Sequence, residues 1–271
     1  MNQLANAGLT EDQLHFYKSF GYLVLKQVFS ADERKTICQE FEYMLAEQYS
    51  HTPHDGSKRH WTPMLHEEET PFFAGLLEDP RLLTVAQQLY GDDVLGLVAD
   101  AFRYIGDTQW HRDTRSVYQY GVKFACYLQP VDADTGALRV IPGMHRLPDD
   151  EDFAAGVRSM PLEAVPCTAL ASQPGDVVAF DLRMWHASYG GSDDRHMCTV
   201  VYYNNPKNAA ELEATRDQAS RAYRAIDLHR PKRKYMYPNS WMSNPHASPV
   251  RHYWINRLRE LGFYDEGTVQ T

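Results

Sequence analysis

Cysteine is scarce in this chain, and the little there is stands apart. Cys38, Cys126, Cys167 and Cys198 are widely spaced, with no Cys-x-x-Cys pair among them. That pattern argues against a disulfide framework and makes a reducing cytoplasm the simplest compartment. Long apolar runs are missing as well. No window approaches 18 uncharged apolar residues, so no transmembrane helix is expected. The first residues carry neither a basic n-region nor an apolar h-region, which reads as no signal peptide. Basic residues are in deficit: Lys and Arg number 27 against 36 Asp and Glu, a formal net charge of -9. With a pI near 5.7, the chain lacks the basic footprint that nucleic acid or an anionic membrane would need. Internal repeats, low-complexity tracts and linkers are absent too.

What remains is the composition of an ordinary globular protein, 43% hydrophobic and 23% charged over 271 residues. Residues 1–271 are read as one domain: helices over 10–90, a core over about 90–205 and a helical, lid-like segment over 207–271. Thr10 with Gln13, and Ser30 with Glu33, form capping boxes that open helices over 10–20 and 30–48. Asp79-Pro80 opens another over 81–90. Strands are expected at 22–25, 94–105, 121–129, 136–141, 177–180 and 196–204, and helices again at 207–225 and 251–261. Residues 50–71 carry His51, His54, His60 and His66 among Pro, Gly, Ser and Thr. They match no common zinc spacing and read as a long surface loop, part of which covers a site. The basic run 229–234 reads as a solvated charged segment. Strands filling the middle with helices at the ends argue for a mainly β fold with helical decoration, a sandwich or jelly roll.

The densest chemistry lies in Gln109-Trp110-His111-Arg112-Asp113. In an extended backbone residues i and i+2 share a face, so His111 and Asp113 can aim at one point. A histidine and a carboxylate there are two of the three ligands of a 2-His-1-carboxylate site, the usual holder of non-haem Fe(II). The third is sought on a remote strand, and His186 in Met184-Trp185-His186-Ala187-Ser188 is the best candidate. Arg195 follows at the start of the next strand, a planar bidentate partner for a carboxylate. Three ligands on one face of an iron leave open positions for a chelating cosubstrate and O2.

With these segments in order, the chain resembles the phytanoyl-CoA dioxygenase family of Fe(II)- and 2-oxoglutarate-dependent oxygenases. The resemblance runs from Leu9-Thr10-Glu11-Asp12-Gln13 and Phe20-Gly21-Tyr22-Leu23-Val24-Leu25 through Trp110-His111-Arg112-Asp113. It continues through Asp134-Thr135-Gly136-Ala137-Leu138, Ile141-Pro142-Gly143-Met144-His145 and Pro174-Gly175-Asp176 to His186-Ala187-Ser188 and Arg195. It implies a double-stranded β-helix (a cupin-like jelly roll) with His111, Asp113 and His186 as iron ligands. It also implies that Arg195 and Ser188 hold the C5 carboxylate of 2-oxoglutarate, and that O2 is the second cosubstrate, with ascorbate as an activator in vitro. Two departures stand out: a slightly shortened gap between His186 and Arg195, and Met144 in the Pro-Gly-x-His turn. Halogenating relatives carry a small residue in place of the carboxylate, so Asp113 implies hydroxylation or desaturation.

Alternation adds further candidates. Lys123, Ala125 and Tyr127 share a face, and an inward lysine needs an anionic partner: the C1 end of 2-oxoglutarate or an acidic substrate. Facing outward is its other reading. Phe102 and Tyr104 are expected to floor the cosubstrate pocket, with Gln109 as a hydrogen-bond donor there. Arg112 and Arg115 flank the metal motif and point to a charged, anionic substrate group. The expected function is hydroxylation of an unactivated C–H bond of a small polar metabolite, such as an organophosphonate or amino-acid derivative, with release of succinate and CO2. Tailoring of a larger natural product is the alternative. A non-catalytic ligand-binding protein and a metal-dependent hydrolase or cupin-type isomerase are the rival classes. The expected partner is a small molecule, with no nucleic acid and no membrane.

Overall fold

A computed structural model describes residues 8–114, 116–148, 151–191, 194–229 and 237–264. The capping boxes at Thr10 and Ser30 both close, each hydroxyl accepting from the backbone N–H three residues on. They start α1 (Glu11–Phe20) and α2 (Ala31–Gln48), with β1 (Tyr22–Leu25) between them. Then follow β2 (His60–Pro63), α3 (Pro71–Leu76) and α4 (Pro80–Tyr90). Asp79 caps α4 and Pro80 occupies its first turn. The middle of the chain supplies β3 (Leu95–Tyr104), β4 (Thr108–His111), β5 (Gly121–Tyr127) and β6 (Leu138–Val140). After α5 (Glu151–Ser159) come β7 (Thr168–Ala169), β8 (Val177–Asp181), β9 (His186–Ser188) and β10 (Arg195–Tyr203). Helices α6 (Ala209–His229), α7 (Asn239–Met242) and α8 (Pro249–Glu260) complete it.

The strands form two antiparallel sheets, β1-β8-β5-β10-β3-β2 and β4-β9-β6-β7. From β3 to β10 the chain passes back and forth between the sheets, so sequence-distant strands become neighbours. This is the double-stranded β-helix. Expected strand and helix positions hold within a few residues, with one revision. The segment 50–71 is not wholly loop: His60–Pro63 pairs with β3 as an edge strand. Backbone pairing overrides its polar composition, and Pro63 is tolerated because it ends an edge. The short elements α3, α5, α7 and β7 carry too little periodicity to be read from sequence. Part of the basic run, residues 230–234, lies outside the described residues.

Two packed layers flank the larger sheet. Outside it, the helices bury the main core, and Trp254 on α8 is fully enclosed. Its indole N–H donates to the Val94 carbonyl at 2.8 Å and its ring meets Tyr202 edge-on at 6.2 Å. Inside, between the sheets, a smaller cluster includes Ala125, Tyr127, Val178, Phe180 and Met197. Covered on both faces, β3 and β10 are buried almost throughout rather than alternating. All four cysteines are free thiols. Among the described residues no helix is long and apolar enough to cross a membrane. Trp254→Ala should cost about 3–5 kcal/mol of unfolding free energy, a large cavity plus an orphaned carbonyl. Denaturant titration would show it as a lowered midpoint.

Candidate metal centre and cosubstrate cavity

The site begins with an irregularity. Strand β4 pairs with β9 so that Thr108 faces Ser188 and His111 faces His186. Three residue steps on β4 therefore span two on β9, which is a bulge. Directly opposed residues point to one side of a sheet, so both histidines and both hydroxyl residues face the barrel interior. The His111 and His186 rings lie 4.1 Å apart, centre to centre. Strand β4 then stops. Asp113 sits in a bend, and its backbone N–H and that of Thr114 both donate to the Leu182 carbonyl, at 3.1 and 3.2 Å. Convergence of His111 and Asp113 thus depends on this grip from the β8–β9 turn rather than on extended alternation.

One donor atom from each of His111, Asp113 and His186 lies within 4.8 Å of the others. Nδ1 of His111 donates to the Gln109 carbonyl at 2.7 Å, and Nδ1 of His186 donates to the Met184 carbonyl at 3.0 Å. A carbonyl can only accept, so both rings carry a proton on Nδ1 and turn Nε2 toward the site. Burial drives the His186 imidazole down to about 3, and the neighbouring His111 adds to the effect. Burial alone would raise the Asp113 carboxyl. Lys123, His186 and His111 outweigh it and hold that group at about 2. Two imidazoles with Nδ1 turned to backbone carbonyls, and one carboxylate, converging on one point, fit a divalent iron. His111, Asp113 and His186 would hold it.

A cavity of about 50 Å³ runs from the two histidines of this triad to Arg195. The guanidinium is 1% exposed. One amino group donates to Ser188 Oγ at 2.9 Å, while Nε and Nη1 are buried without a partner. Two glycines make room for it: a Cβ on Gly136 or Gly191 would come within 2.2 or 2.1 Å of Nη1. Gly136 also has φ +86, where a side chain would be strained. An unpaired buried cation is costly, and Arg195 lines this cavity. That arrangement fits the carboxylate of a dicarboxylic acid reaching from the metal. Tyr104 and Tyr127 line the same cavity. Burial pushes the Tyr104 phenol up to about 12 and raises Tyr127 further, so both remain neutral hydrogen-bonding groups.

The other candidates scatter instructively. Lys123 faces inward and finds its anion within the chain: Nζ is 3.1 Å from Asp113 Oδ2. It lines both the first cavity and a second one beyond Asp113. Phe102 lines only the second cavity. Gln109 has an exposed side chain, and its contribution is the carbonyl that orients His111. Thr108 takes the lining position instead, with a buried hydroxyl lacking a partner. Counting by twos cannot find it, because the bulge reverses parity between Thr108 and His111. Arg112 lines neither cavity. It donates to the carbonyls of Met144 at 2.8 Å and Leu147 at 3.2 Å, pinning that turn beside Trp185. These contacts give no support to its expected place at the substrate's charge. Arg115 lies outside the described residues.

The low folded value at His186 has a signed consequence. Below about pH 6.5 the unfolded chain takes up a proton there that the folded, metal-free protein refuses until about pH 3. Stability is therefore full above that range and falls with acid, by up to about 1.4 kcal/mol per pH unit for this one group. Denaturant melts of metal-stripped protein between pH 7 and 4 should show the slope, and His186→Gln should make it shallower by one proton. An unchanged slope in the variant would contradict the burial of a neutral ring.

The profile of the phytanoyl-CoA dioxygenase (PhyH) family matches residues 17–197. An ectoine dioxygenase of Bordetella bronchiseptica is 24% identical over 154 residues, 51% of this chain and 50% of that protein. The chain thus spans half the length of this curated relative. The ectoine dioxygenase of Sphingopyxis alaskensis is 25% identical over 224 residues, 68% of this chain and 72% of that protein. Among solved structures, HygX from Streptomyces hygroscopicus, with nickel and 2-oxoglutarate bound, superposes with a TM-score of 0.61 at 20% identity. That match covers 75% of this chain and 90% of HygX. With the family profile spanning about two thirds of its length, and the triad, cavity and buried arginine in register, the chain belongs to the phytanoyl-CoA dioxygenase family.

Proposed function

We propose that this protein is an Fe(II)- and 2-oxoglutarate-dependent oxygenase that hydroxylates a C–H bond. Substrate, 2-oxoglutarate and O2 would give hydroxylated substrate, succinate and CO2, with ascorbate keeping the iron reduced in vitro. The observation that carries the reading is Arg195, a buried guanidinium with two orphaned donors at one end of a cavity whose other end is the triad. Bound iron with its cosubstrate supplies the oxidising chemistry. The chain does the rest. Arg195 and Ser188 bind and orient the distal carboxylate, and the apolar wall of Ala125, Leu138, Phe180 and Met197 excludes water. Lys123 holds Oδ2 of Asp113 and so leaves Oδ1, the oxygen 3.8 Å from His186 Nε2, to face the metal position. A carboxylate at this position supports hydroxylation or desaturation over halogenation.

The rival readings lack this support: a hydrolase or isomerase has no use for an orphaned guanidinium opposite the metal. On substrate size, the second cavity offers about 430 Å³, within the ordinary range for a small-molecule site.

Arg195→Met should weaken 2-oxoglutarate binding by on the order of 100-fold, since one partner of a buried charge-assisted pair is lost. Metal affinity should persist. His111→Ala should abolish metal binding and, with it, succinate formation. Calorimetry with Ni(II) and 2-oxoglutarate, followed by succinate measurement with Fe(II), ascorbate and a substrate panel, checks both. Succinate no higher than in His111→Ala under every substrate would sink the reading.

A further inference from the structure

The second cavity carries a statement about substrate chemistry. It opens on the far side of the Asp113–Lys123 pair and shares Tyr104 and Lys123 with the cosubstrate cavity. Its most distinctive wall is a shelf of three rings. Trp61 on β2 is the register partner of Phe102 on β3, and Tyr104 follows Phe102 on the same face. The Trp61 and Phe102 rings are 6.4 Å apart, and Phe102 and Tyr104 are 5.4 Å apart and within 19° of parallel. All three are only partly buried. Large rings lining a hollow leave apolar area that a flat ligand would cover, and ring faces reward such contact beyond area alone.

Charge orders the same space. Asp100, 7% exposed, lines the interior. Lys123 is committed to Asp113, and Arg103 makes paired hydrogen bonds to Asp194 at 2.6 and 2.7 Å. Arg59 differs. It is exposed, its hydrogen bonds go to the carbonyls of Ile105 and Asp107, and it lies 5.0 Å from the centre of the Tyr104 ring. A cation tied to carbonyls keeps its full charge for a ligand, whereas a carboxylate deeper in repels an anion.

We propose that this cavity is the substrate chamber and that it takes a molecule with a flat ring system lying on Trp61, Phe102 and Tyr104, with an acidic group at Arg59. The proposal rests on the oxygenase reading above for its reaction but not for its binding test. Arg59, not Arg112, then meets the substrate's charge, and the ring end points inward toward Asp113.

The test is calorimetry of protein loaded with Ni(II) and 2-oxoglutarate, using 2-naphthoate, 2-naphthol and methylphosphonate as probes. 2-Naphthoate should bind at one saturable site. Trp61→Ala should weaken it about tenfold, and Phe102→Leu should weaken it as well; circular dichroism checks that each variant is folded, and the second serves if the first is not. Arg59→Gln should weaken 2-naphthoate several-fold and leave 2-naphthol unchanged. Absence of saturable 2-naphthoate binding, indifference to both ring variants, or tighter binding of methylphosphonate would overturn the proposal. Binding of 2-oxoglutarate is read in the same protein. Its loss with 2-naphthoate binding intact would sink the oxygenase reading alone, and the converse would sink this proposal alone.

Discussion

The pairing of β4 with β9 is the constraint on which the site depends. It sets His111 opposite His186, and its bulge brings Thr108 to the same side as His111. Without the extra residue, one of the two would point away from the barrel. The neighbouring turn then finishes the arrangement by holding Asp113 through the Leu182 carbonyl. Three ligands from two strands and a bend are therefore fixed by backbone hydrogen bonds. Side-chain rotamers have little left to decide, which is the kind of support that a precise metal site requires.

Two cations face this interior, Lys123 partly buried and Arg195 fully buried, and they are treated in opposite ways. Lys123 is neutralised within the chain by Asp113, while Arg195 is left with two donors unused. The difference would separate a residue that shapes the carboxylate of the triad from one with donors to offer a ligand. Burial helps both roles, because a low-dielectric wall strengthens each charge that remains.

Much of this could be read from residue types at set spacings. His111, Asp113, His186, Ser188 and Arg195 sit at strand ends where the topology gathers them, and their chemistry is visible one residue at a time. Parity along β5 left Lys123 an inward and an outward reading, and its side chain lines the cavity. Parity failed on β4, where a bulge has no signature in the sequence, so Gln109 was expected where Thr108 stands. It could not foresee that Arg112 would be spent on the carbonyls of the Met144 turn. Nor could it find Trp61, because the strand that carries it forms only against the edge of β3, and a four-residue segment is too short to show a periodicity of its own.

The glycine cradle around Arg195 has a consequence for the protein's persistence. Gly136 and Gly191 hold the guanidinium in place by shape, not by charge. The ligand-free chain therefore folds around a desolvated cation, and any anion that fills the gap binds the folded form and not the unfolded one. Such a ligand raises stability by an amount that grows with the logarithm of its concentration. A cosubstrate held there would act as a folding ligand too, tying the resistance of the protein to proteolysis to the supply of a central dicarboxylic acid.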